Sequence, residues 1–338
     1  MKKSVLIIAA AVILSVATVG SAATPEVNGD IRIRIQDRAG DTDSPTKGTF
    51  TITRVRLNAS MPIENNTSVF GRLALEQAAG EKAHSNGLYD TSGAFDRWGV
   101  KWKYKNGALK VGRQDVVLGQ DGLVLTTLID AVGESNQLTG IDASWKEGNT
   151  SLKLVGGRLG SGLFQPLHGM EANLYALQVN RKIDQRFSGG ATYRRISTID
   201  NYSTTMANLI PPNKSIFNTY SLFGSYCFDS KNVVYTEIGS SNADSDDNGL
   251  SLGLAHRIDK KNSYSINYFK QERYSGMFRN WGAPDFAREG SNTSWNGYAL
   301  YYRYQMNDKT LLEISDYYEK GNVSNSANQF RVTLLANF

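Results

Sequence analysis

Phe330-Arg331-Val332-Thr333-Leu334-Leu335-Ala336-Asn337-Phe338 ends the chain. Phe330, Val332, Leu334, Ala336 and Phe338 fall on one face. Arg331, Thr333 and Asn337 fall on the other, where Leu335 is the one apolar exception. A period of two with one apolar face predicts a half-buried strand. The pattern recurs upstream: Trp98, Val100, Trp102 and Tyr104 alternate with Arg97, Gly99, Lys101 and Lys103, and Tyr264, Ile266 and Tyr268 alternate with Ser265 and Asn267. What these apolar faces meet depends on how many such strands the chain holds.

The alternation predicts sixteen strands, centred near Ile33, Val55, Leu73, Val100, Val111, Ile141, Leu154, Leu177, Ala191, Leu222, Thr236, Leu252, Ile266, Leu300, Glu313 and Leu334. Their connections alternate in length. Asn65-Asn66, Asn106-Gly107, Gly148-Asn149, Asp184, Asp229, Asp259 and Asn307-Asp308 mark tight turns, with the Asn, Gly and Asp chemistry that turns require. Longer segments run near 78–94, 116–136, 197–215 and 275–293. Short turns at one end and long loops at the other are the pattern of a membrane barrel. An interior enclosed by sixteen strands is too wide for side chains to fill, so the apolar faces must point outward into lipid. The 17 tyrosines, many near strand ends, suit interfacial girdles.

Residues 1–23 read as a secretory signal: Lys2 and Lys3, an apolar run from Val5 to Val19, then Gly20-Ser21-Ala22-Ala23. Residues 24–338 then form one β domain. Without Lys2 and Lys3, 35 basic residues face 32 acidic ones, a net of +3 that implies no nucleic-acid partner. The single cysteine, Cys227, precludes an internal disulfide. Closed strand pairing in lipid supplies stability instead.

Once the apolar faces point outward, parity fixes the lumen set. It contains Arg32 and Arg34, Arg54 and Arg56, Arg72 with Glu76, Arg97, Lys101 and Lys103, Lys110, and Arg331. One sector of the wall is therefore basic. Turned outward, such arginines would each cost about 2–4 kcal/mol near the bilayer midplane.

Gly112-Arg113-Gln114-Asp115 follows the fifth strand and opens the long segment 116–136. With the terminal Phe338 and the signal-like start, this stretch resembles the general (trimeric) diffusion porins of Gram-negative outer membranes. The resemblance implies a transmembrane antiparallel β-barrel of about 16 strands, with a constriction loop folded into the lumen. It implies wall arginines facing loop carboxylates, for which Asp121, Asp130 and Glu134 are the candidates. Simple alternation turns Arg113 outward. The resemblance also implies a cell outer membrane location, contact with outer-membrane lipid and lipopolysaccharide, and a homotrimer. The expected function is passive diffusion of small hydrophilic solutes and ions. The basic sector adds a mild anion preference.

Two other functions compete with this one. A substrate-selective channel for a sugar or organic anion would line its path with Phe164, Phe278, Trp281 and Phe286. An outer-membrane phospholipase needs serine and histidine together, yet parity places Ser251 inward and His256 outward. Gly249-Leu250-Ser251-Leu252-Gly253 matches a hydrolase motif but lies within a strand, not at a strand-to-helix turn. The loop of Asp244, Asp246 and Asn248 begins like a calcium site, but its twelfth position is Ala255 in place of glutamate. His84, His168 and His256 lack metal-ligand spacing. No cofactor or enzymatic activity is expected.

Overall fold

The structure, a computed structural model, describes residues 24–40, 48–79, 91–119, 125–126, 138–159, 172–198, 215–272, 275, 294–321 and 326–338. The signal-like segment 1–23 lies outside them. Sixteen antiparallel strands close one barrel: β1 (Glu26–Gly40), β2 (Gly48–Glu64), β3 (Thr67–Ala79), β4 (Thr91–Tyr104), β5 (Gly107–Gln114), β8 (Leu138–Glu147), β9 (Thr150–Leu159), β10 (Ala172–Lys182), β11 (Phe187–Thr198), β12 (Ile216–Cys227), β13 (Asn232–Ser241), β14 (Asn248–Arg257), β15 (Asn262–Gln271), β16 (Trp295–Asn307), β17 (Thr310–Gly321) and β18 (Ser326–Asn337). Two further strands, β6 (Val117–Leu118) and β7 (Leu125–Thr126), pair with each other in the segment after β5.

The quoted C-terminal stretch performs the closure. Ile31, Ile33 and Ile35 of β1 lie opposite Ala336, Leu334 and Val332 of β18. Gly29 N donates to Phe338 O at 3.1 Å, and Phe338 N donates back to Gly29 O at 3.0 Å. The Phe338 ring lies over Gly29. A Cβ there would fall 2.6 Å from a ring atom and 2.3 Å from the Arg56 carbonyl oxygen. The seam is thus sealed by a bare backbone position under a terminal ring, and the described strands of the barrel sheet leave no unpaired edge.

Three tight turns share one device. Asp184 Oδ1 accepts from Arg186 N and Phe187 N, both at 2.7 Å. Asp229 Oδ1 accepts from Lys231 N at 2.7 Å and Asn232 N at 2.8 Å. Asp259 Oδ1 repeats this with Lys261 N at 2.7 Å and Asn262 N at 2.8 Å. Each carboxylate caps backbone donors that the turn leaves without ladder partners. The pKa of each carboxyl is held below its usual 3.8, chiefly by the bonds from Phe187 N, from the Asn232 side chain and from Lys261 N, respectively.

The distribution of polarity is inverted relative to a water-soluble protein. Leu222 is 59% exposed and Leu252 48%, whereas Arg194, Glu237 and Gln329 are fully buried. Ile31, Leu57, Val100, Ile141, Leu154, Ile238 and Ile266 extend the exposed apolar belt around the barrel. Aromatic rings bound this belt. Trp102, Tyr226, Tyr264 and Tyr302 lie toward the tight turns, and Tyr175, Tyr220, Tyr268 and Tyr298 toward the long connections. Tyr220 and Tyr226 of β12 are six residues apart, about 20 Å along the strand. That matches the scale of a lipid-facing band between two girdles.

Candidate pore constriction

The lumen face of β1 to β4 and β18 carries an interlocked set of charges. Register pairs Arg32 with Arg54, Arg54 with Glu76, and Arg34 with Thr333. Asp30 joins the cluster from the end of β1 nearest the tight turns. Its Oδ1 accepts from Arg54 Nη2 at 3.2 Å and its Oδ2 from Arg56 Nε at 2.7 Å. Arg32 Nη2 reaches Glu76 Oε2 at 3.4 Å, and Arg34 Nε donates to Thr333 Oγ1 at 3.2 Å. Arg331 stacks over the Tyr317 ring, 4.9 Å from its centroid. Lys101 and Lys110 face one another across β4 and β5, and Lys110 lies opposite Asp142 of β8. The structure therefore places Arg32, Arg34, Arg54, Arg56, Arg72, Arg97, Lys101, Lys110 and Arg331 on the lumen face. It places most of the arginines in ion pairs, not as bare charges.

A β-bulge builds the second half of the cluster. Between β3 and β4 the register shifts after Arg72, leaving Asp96 as an extra residue beside Arg97. Bulges redirect side chains at functional positions. Here the bulge turns both Asp96 and Arg97 inward. Arg72 Nε donates to Asp96 Oδ1 at 2.6 Å. Arg72 Nη1 lies 3.6 Å from Asp115 Oδ2, and the same carboxylate pairs with Arg97. Arg113, expected outward, is 3% exposed, and its Nε donates to the Asp96 carbonyl oxygen at 3.1 Å. The register runs unbroken through Arg113, opposite Trp98 and Thr139, so its burial arises beside the bulge and not from a slip in β5.

Asp115 begins the segment that leaves β5, and that segment enters the lumen. Val116 and Leu118, both 0% exposed, pack against Leu138, Val155, Leu174, Ala176, Ile196 and Phe217. Those residues belong to β8–β12, and their register places them on the lumen face. Polar contacts reinforce the seat. Gly119 N donates to Gln178 Oε1 at 2.7 Å, and Lys153 Nζ donates to Val117 O at 3.3 Å. One sector of the inner wall is thus apolar because protein, not water, covers it.

The expected loop carboxylates Asp121, Asp130 and Glu134 lie outside the described residues, as do Phe164, Phe278, Trp281, Phe286, His84 and His168. The loop carboxylate found on the arginines is Asp115, and Asp30 and Asp96 were likewise not singled out in advance. Asp30 shares the parity of Arg32, so the signal for it was present. Asp96 depends on a bulge that alternation does not reveal. Ser251 is buried on the lumen side, while His256 Nδ1 lies 2.7 Å from Asn232 Oδ1 on the outer face. The two do not meet. In the loop before β14, Asp247 bonds Ser240 and Asn248, and among the described residues no three His, Cys, Asp or Glu side chains converge as metal ligands.

A closed sixteen-stranded barrel with an apolar belt, a charged lumen and an inward-seated segment after the fifth strand is the porin fold. Solved structures agree. The chain is similar to a structure described as "Asymmetric conductivity of engineered proteins", with a TM-score of 0.58 and 12% identity. Two mutants of the Rhodopseudomonas blastica porin give TM-scores of 0.57 and 0.56, each at 12% identity. Each comparison covers 93% of this chain and 100% of the other. No protein-family profile and no curated protein matches the sequence.

Proposed function

We infer that this chain is an outer-membrane pore through which small hydrophilic solutes and ions diffuse passively, with a mild preference for anions. One observation carries the reading: a segment seated inside the barrel faces a wall of ion-paired arginines, while the exterior is apolar. Cations and carboxylates fixed across a narrow aqueous gap produce a transverse field. Polar solutes align in it, and apolar ones must disrupt ordered water. The anion preference follows from imbalance. Asp30, Glu76, Asp96 and Asp115 do not offset Arg32, Arg34, Arg54, Arg56, Arg72, Arg97, Arg331, Lys101 and Lys110. One charge sign in excess along a pore tunes its ion selectivity.

The same reading includes a homotrimer joined through the outer face of β18, β1 and β2. There Asp37 and Thr49 point outward and are bonded at 2.7 Å, beside Thr51 and Thr53. A carboxylate and a row of hydroxyls are poor partners for acyl chains and good ones for another protomer. Signal removal and outer-membrane location belong to the proposal too. The test is single-channel conductance in planar bilayers, with reversal potential under a KCl gradient. Ohmic steps in threes with mild anion preference are expected. Folded, inserted protein that passes no current overturns the pore.

A further inference from the structure

We propose that the lumen face of β4 and β5 binds a phosphate monoester at Lys101, Lys103 and Lys110. The proposal rests on the reading of the lumen as a water-filled pore and names a solute class for it. Lys101 and Lys110 are direct cross-strand partners, and Lys103 lies two residues along β4, opposite Ala108. Val100, Trp102 and Val111, which alternate with them, are exposed on the outer face, so all three lysines turn into the lumen. Their Cα atoms form a triangle with sides of about 5, 7 and 8 Å. Arg97, in the constriction, stands about 13 Å along β4 from Lys101, toward the long connections. The lysines therefore line the lumen between the constriction and the mouth at the tight turns.

Like charges directly opposite one another destabilise a sheet, so this cluster calls for an anion. Among the described residues none of the three lysines forms an ion pair. The neighbouring carboxylate, Asp142, lies opposite Lys110 but is engaged elsewhere, with its Oδ2 3.4 Å from Lys153 Nζ. Lys101 and Lys110 are half-buried and Lys103 is exposed, so a solute in the lumen reaches all three ammonium groups. Three cations match a dianion better than a carboxylate or a sulfate ester, each of which carries a single charge. At neutral pH a phosphate monoester carries close to two charges, spread over three terminal oxygens, one for each ammonium. The remaining, ester oxygen carries the organic group. Phe70, half-buried on the lumen face of β3, lies opposite Gly99. Its ring comes 2.9 Å from where a Gly99 Cβ would stand. Gly99 precedes Lys101 by two residues on the same face, so the ring flanks the lysines on their constriction side. A ring on the ester covers Phe70, whereas inorganic phosphate leaves it bare.

The test follows phosphorus NMR relaxation of phenyl phosphate or inorganic phosphate added to the folded full-length barrel in uncharged detergent, at constant ionic strength. Wild-type protein should bind both saturably, the ester more tightly. In K101Q/K110Q ester binding should fall by about thirtyfold, the factor for two unit charges each about 4 Å from an anion in water. K101R/K110R should keep it. Phe70→Ala should bring the ester down to the affinity of inorganic phosphate and leave the latter unchanged. K270Q/K320Q removes the same charge from exposed positions on the outer wall and should bind as wild type. Undiminished binding by K101Q/K110Q overturns the site. So does an equal loss in K270Q/K320Q, which marks diffuse attraction to a basic protein. Equal affinity of the wild type for ester and inorganic phosphate overturns the ester assignment. Conductance of the same samples separates the two proposals. A wild type that binds the ester saturably but passes no current refutes only the pore. One that conducts but shows no saturable binding refutes only the site.

Discussion

Leu118→Ala should release the segment that narrows the lumen while leaving the barrel intact. Leu118 is 0% exposed and seated among Val155, Leu174, Ile196 and Phe217. Truncating such a leucine costs about 2–5 kcal/mol. The polar contacts left behind, Gly119 N to Gln178 and Lys153 to Val117 O, contribute about 0.5–1.5 kcal/mol each. The lost apolar contact is therefore comparable to those two bonds together, and Val116 and the Asp115 ion pairs are left to hold the start of the stretch. A loss of about 2 kcal/mol raises the undocked fraction roughly thirtyfold. No barrel strand contains Leu118, so strand content and membrane insertion should be kept. Single-channel recordings should show frequent excursions to a larger conductance. Leu222→Ala, on the lipid-facing side, serves as the control and should show none. Leu118→Ala recordings indistinguishable from wild type, in noise and in amplitude, would refute the claim that this contact holds the constriction.

The charge cluster makes opposed predictions. Serine at Arg54, Arg56 and Arg97 should shift the reversal potential toward cations, and Asp30→Asn should shift it toward anions by freeing the two arginines that Asp30 holds. One unit charge about 7 Å from a permeating ion, in a water-like dielectric, is worth about 0.6 kcal/mol before screening. Each charge removed should thus change the permeability ratio by roughly two- to threefold; an unaltered reversal potential removes these residues from the selective region. For the turns, the depressed pKa of Asp229 and Asp259 means their stabilisation is complete above the ordinary value of 3.8 and is lost as pH falls through the lower folded value. D229A/D259A should therefore lower Tm at pH 7, with the gap to wild type closing in strong acid; a gap independent of pH would show that the carboxylate charge is not what caps the turn. Gly112→Val should impair barrel assembly, because its Cβ would lie 2.2 Å from the Trp98 carbonyl oxygen, and refolding yield into detergent micelles measures this.

The parts of this molecule readable in its sequence are those governed by period. Lipid on one side and water on the other force alternation, so the strand centres and the inward positions of Arg54, Arg56 and Arg331 follow from counting. Counting fails wherever protein covers protein. Across Ala172-Asn173-Leu174-Tyr175-Ala176-Leu177 both faces are largely apolar, as in a strand buried on each side. Read only as a lipid-facing strand, this run conceals the seat for Val116 and Leu118. Counting also fails at insertions: Asp96 is the extra residue of the bulge, which brings its side chain onto Arg72. The resemblance points to carboxylates within the long connection, whereas Asp115 reaches Arg72 and Arg97 from the first residue after β5. The cation-rich wall therefore holds Arg32, Arg54, Arg56, Arg72 and Arg97 in ion pairs that alternation alone does not reveal.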